Sequence, residues 1–70
     1  MTRLETFLKS HHLRPSRVAL AADYSRQHLL RIRKGNMEPT RRCIKAIVTA
    51  CRHLTHEPVR ASDLFDLEET

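Results

Sequence analysis

Apolar residues recur at helical spacing in four separate stretches of the chain. Leu4, Phe7 and Leu8 make the first, Val18, Ala19 and Ala22 the second, and Leu29 and Ile32 the third. Ile44, Ile47, Val48, Cys51 and Leu54 make the fourth, a continuous stripe of 3.6-residue period. No segment alternates convincingly with a two-residue period, so no sheet is expected. Residues with start and stop chemistry separate the stretches. Thr2 followed by Glu5 reads as a capping box, and helix one is expected to run to about Ser10 or His11. Pro15 suits the first turn of a second helix, where its missing N–H would have had no partner. Asp23 and Tyr24 then make a tight break before Ser25, the N-cap of helix three. Gly35, the single glycine, is the candidate left-handed residue that ends it. After the loop Asn36-Met37-Glu38-Pro39, Thr40 caps helix four. Beyond Glu57-Pro58, the segment Ala61 to Phe65 suggests one last turn that closes the core with Leu64 and Phe65.

The expected fold is all-α, a compact bundle of four to five short helices with a central helix-turn-helix. Residues 1–58 form the helix-turn-helix domain; residues 59–70 add a short C-terminal helical turn and an acidic tail. A chain of 70 residues holds one small core and leaves no room for a second domain.

Charge narrows the partner. The formal net charge is +5, and the imbalance is uneven. All thirteen Lys and Arg lie in the first sixty residues against four acids, +9, while Asp63, Asp66, Glu68 and Glu69 follow. A basic body of this size suits a polyanion, either nucleic acid or an anionic membrane surface. No apolar run reaches the length of a bilayer span, and MTRLETFLKS lacks the apolar region of a secretory signal, so a cytoplasmic location is expected. Cys43 and Cys51 lie roughly 12 Å apart along one helix, too far for a disulfide, and read as small buried apolar residues.

Helix three, SRQHLLRIRKG, concentrates four cations. Leu29 and Ile32 face one side; Arg26, Gln27, Arg31 and Lys34 share the other, with Arg33 near the boundary. Arginine and glutamine carry the paired donors and acceptors that match guanine O6/N7 and adenine N6/N7 in the major groove. Leu30 falls within this polar side, where it is acceptable against a thymine methyl group. Taken alone, these residues also fit a solvated surface helix carrying one stray leucine.

The order of elements adds a resemblance. From Leu13 to Gly35 the pattern L-x4-V-A-x2-A-x2-S-x3-L-x2-I-x2-G resembles the lambda-repressor-like family of helix-turn-helix regulators, the Cro and XRE type; the likeness extends from about Leu4 to Leu54. The resemblance implies that helix three, about 25–34, enters the DNA major groove with its N-terminal residues against base edges. Carried over by position, Arg26, Gln27 and Arg31 read bases, with His28 a fourth. Two positions depart from the pattern. Asp23 stands where many members have glycine, and it tolerates a left-handed backbone. Pro15 stands where many have a phosphate-clamping glutamine, a task that Ser16 and Arg17 at the start of helix two can take over.

Phosphate contacts are expected from Arg14, Ser16 and Arg17, from Lys34 and Asn36, and from Thr40, Arg41 and Arg42. Arg41 and Arg42 are unfavourably placed at a helix N-terminus, where the dipole prefers acids, and a phosphate would relieve that cost. Cys51, His53 and His56 invite a metal site, but Cys51 and His53 face opposite ways on a helix, so neither metal nor cofactor is expected. The chain has no glycine-rich phosphate loop and no obvious carboxylate pair, so it is not expected to be an enzyme, and no small-molecule effector is expected. The expected function is sequence-specific binding of double-stranded DNA by a small transcriptional regulator, a repressor by operator occupancy. Two other uses of the same fold stay open, a protein-interaction module or antitoxin-like partner and a non-specific nucleic-acid binder. The resemblance also allows a homodimer, for which Val59, Leu64 and Leu67 are the candidate contacts.

Overall fold

In the computed structural model, which describes residues 2–65, three short hydroxyl side chains start three helices. Thr2 Oγ1 accepts the Glu5 N–H at 3.2 Å, Ser25 Oγ the His28 N–H at 3.0 Å and Thr40 Oγ1 the Cys43 N–H at 3.2 Å. They open α1 (Arg3–Ser10), α3 (Arg26–Arg33) and α4 (Arg41–Thr55). Pro15 opens α2 (Pro15–Ala22), and α5 (Ala61–Leu64) is a single turn. Among the described residues there is no strand, and the fold is an all-α bundle of five helices. None of the described helices is long and apolar enough to cross a membrane.

Four of the five helices stop at a left-handed residue, and only one of these residues is glycine. Gly35 has φ 78; its N–H reaches Ile32 O at 3.1 Å and the Asn36 N–H reaches Arg31 O at 2.9 Å, a paired closure of the last turn. Asp23 does the same after α2 with φ 62, its N–H on Leu20 O at 3.2 Å and that of Tyr24 on Ala19 O at 2.9 Å. His12 (φ 54) and His56 (φ 59) take the left-handed position after α1 and α4. Two of the five histidines thus act through backbone conformation.

Leu4, Leu8, Val18, Ala19, Leu29, Ile32, Ile47 and Cys51 are buried together, α2 packs chiefly on α4, and α3 and α5 close the sides. Ser25 matters to this arrangement because α3 is only eight residues long and too short to hold itself. Ser25→Ala is expected to lower stability by about 1 kcal/mol. That corresponds to a fall of roughly 4–8 °C in the midpoint of a thermal melt followed by circular dichroism.

Three expectations change. The Thr2–Glu5 capping box is only half made, since the Glu5 carboxylate turns away to α3, where Arg33 Nη2 lies at 3.1 Å. Leu64 and Phe65 close the core as expected, but Val59, not expected there, joins them beside Leu4 and Ile47. For the same reason Val59, 2 % exposed, and Leu64, 1 % exposed, offer no surface to a second copy. Leu67, the third candidate dimer contact, and the acids of the tail beyond Asp63 lie outside the described residues.

Candidate nucleic-acid interface

The outer face of α3 exists because Leu29 and Ile32 hold the opposite face in the core. At about 100° per residue, Arg26, Leu30, Gln27 and Arg31 then fall in an arc of about 140° on the far side. All four are exposed. Arg26, Gln27, Leu30 and Arg33 line one open groove of about 530 Å³ together with Arg14, Pro15 and Ser16 from the start of α2. Arg31 is exposed on the side of this arc away from Arg26. The structure therefore brings two of the three principal base-reading candidates, and Leu30, to the same groove as two of the phosphate candidates.

His28 is placed elsewhere. Its ring stacks on Tyr24, with centroids 4.8 Å apart, and its Nε2 lies 3.9 Å from Cys43 Sγ at the start of α4. It is half-buried at the seam between α3 and α4, so its ring is committed to packing and is not part of the exposed arc. The seam brings the first turn of α4, with Thr40, Arg41 and Arg42, beside the start of α3. Arg41 and Arg42 are exposed, and the Thr40 hydroxyl already accepts from the Cys43 N–H.

The three helix N-termini around this region share an electrostatic signature. No acid occupies the first turn of α2, α3 or α4, whereas α1 has Glu5 and α5 has Asp63. Arg17, Arg26, Arg41 and Arg42 stand in those first turns instead. Each helix N-terminus carries a partial positive charge, so cations there cost stability, typically about 0.3–1 kcal/mol each, unless an anion approaches. Arg14, Arg17 and Asn36 are also exposed. Three sites of doubled positive charge consequently sit within the same region of the molecule.

The C-terminal end of α3 is partly neutralised from within. Glu5, 8 % exposed, holds Arg33 Nη2 at 3.1 Å and Lys34 Nζ at 3.8 Å, and Thr2 Oγ1 donates to Arg33 O at 2.7 Å. Arg33 is mostly buried and serves to tie α1 to α3; Lys34 remains half-exposed. Lys34 thus keeps access to solvent while one acid offsets its charge. Pairing across 28 residues leaves no local trace in the sequence, which is why Glu5 reads there only as a capping residue.

The thiols are not poised for chemistry. Burial pushes Cys51 up to about 11 and also raises Cys43, so both remain protonated near neutral pH, where the thiol is a poor nucleophile. Cys43 is 2 % exposed, which closes it to any substrate. What the region offers is an exposed set of guanidinium, amide and isobutyl groups over a rigid base. No family model matches the chain, and neither does any curated protein or solved structure.

Proposed function

We propose that the chain is a sequence-specific binder of double-stranded DNA, a small transcriptional regulator that represses by occupying its operator. On this reading it is a lambda-repressor-like domain of the Cro and XRE type, acts in the cytoplasm and catalyses nothing. The observation that carries the proposal is the exposed arc of Arg26, Gln27, Leu30 and Arg31 on a helix whose other face is buried. A helix of about 10–12 Å diameter fits the major groove, about 12 Å wide. Arg26, Gln27 and Arg31 then meet base edges, where arginine pairs with guanine and glutamine with adenine.

The remaining cations set the register. Arg14, Ser16 and Arg17 at the start of α2, and Thr40, Arg41 and Arg42 at the start of α4, flank the α3 N-terminus and suit the two phosphate backbones, with Lys34 and Asn36 at its far end. Phosphates there would also offset the helix-dipole cost of Arg17, Arg41 and Arg42. Selection from random duplex DNA tests the proposal. The expected result is an enriched motif containing guanine and adenine, bound more tightly than random duplex by about 10³-fold or more. Equal binding to every duplex would leave a non-specific polyanion binder, and no binding at low salt would leave a protein-interaction module.

A further inference from the structure

The groove between the start of α2 and the outer face of α3 contains apolar surface that phosphate binding does not explain. Leu30 is 43 % exposed there, beside Pro15, with Arg26 one turn before it and Gln27 three residues before it. A surface selected for anions alone would place a polar or cationic side chain at position 30, which lies between Arg26 and Gln27 around the helix. In the major groove the one apolar feature presented by a base pair is the C5-methyl group of thymine.

We infer that the groove reads a thymine methyl group through Leu30, with Gln27 taking the adenine of the same base pair. The inference rests on the DNA-reading function proposed above and specifies what that site recognises. Arg26 and Leu30 are separated by about 6 Å along the helix axis. That is less than two base-pair steps of about 3.4 Å, so the guanine read by Arg26 lies within two base pairs of the thymine. A 5-methylcytosine carries the same methyl group but pairs with guanine, whose major-groove edge presents two acceptors and lacks the N6 donor that the Gln27 amide matches. The source of the methyl group is therefore thymine.

The test uses the full chain and the duplex enriched by selection. Replacing the thymine with deoxyuridine removes the methyl group alone and is expected to weaken binding about fourfold, the worth of burying one methylene-sized group. Leu30→Ala is expected to bind the thymine and deoxyuridine duplexes equally while keeping the parent's helical circular dichroism. In a third arm, 5-methylcytosine–guanine is expected to bind about fourfold more tightly than cytosine–guanine at that position, yet more weakly than thymine–adenine. Equal binding of thymine and deoxyuridine by the parent chain overturns the inference and leaves the DNA reader standing. So does a preference that survives in Leu30→Ala, or a selected site with no thymine within two base pairs of a guanine. Tighter binding of 5-methylcytosine than of thymine overturns the assignment to thymine. Failure of the selection to enrich any sequence overturns the inference together with the function beneath it.

Discussion

Leu29→Ala is expected to unfold a large share of the molecules near body temperature. Leu29 is 1 % exposed and is one of the two buried residues that bind α3 to the rest of the bundle. Truncating a buried leucine removes its transfer free energy and leaves a cavity, at a cost of about 2–5 kcal/mol. Small domains hold only about 5–15 kcal/mol in total, and a chain of this length sits low in that range. At roughly 4–8 °C per kcal/mol the melting midpoint is expected to fall by at least about 8 °C. Thermal denaturation followed at 222 nm measures it. An unchanged midpoint would show that α3 is held by something other than its buried face. Gln27→Ala, on the exposed side of the same helix, is expected to leave the stability within about 0.5 kcal/mol of the parent.

The second large effect separates reading from clamping. Arg26→Ala is expected to weaken binding of the selected duplex by roughly 5- to 150-fold, equivalent to about 1–3 kcal/mol for a bidentate base contact. It is also expected to relax preference at a single base position. Arg41→Ala is expected to weaken specific and random duplexes alike and to flatten the dependence of log K on log salt by about 0.9, the value of one phosphate contact. Fluorescence anisotropy at a series of salt concentrations distinguishes the two. Uniform weakening by Arg26→Ala, with no change in preference, would move Arg26 from the base edges to the backbone.

Both expectations depend on the two faces of one eight-residue helix, and the sequence shows those faces plainly. Leu29 and Ile32 three residues apart, with arginines and glutamine between and around them, leave only one way to turn the helix. The starts of α1, α3 and α4 are equally legible, because a cap bonds an amide three residues on and is complete within one turn. Gly35 and Asp23 signal the stops after α3 and α2 by their tolerance of a left-handed backbone. His12 and His56 carry a weaker signal than glycine, since histidine, like aspartate, is only several-fold enriched in that conformation.

The candidate interface is legible in part. Arg26, Gln27, Leu30 and Arg31 follow from helical periodicity, but periodicity cannot tell what stands at the edge of a face. His28 and Arg33 lie on the two edges of α3, and each is drawn inward by a partner distant in sequence. Cys43 meets the first, and Glu5 holds the second. The grouping of Arg14 and Ser16 with Arg26 and Leu30 likewise depends on how α2 crosses α3.

By itself, then, the sequence determined the four longer helices, their starts, and which side of each is apolar. Those properties rest on backbone bonds and side-chain angles within about four residues. Tertiary structure decided that Glu5 pairs with Arg33 and Lys34, that Val59 is a core residue, and that the start of α2 forms one wall of the α3 groove. These depend on packing between helices, where ridges of side chains settle the crossing and bring distant positions together. No local pattern encodes which partner a charged edge residue will meet.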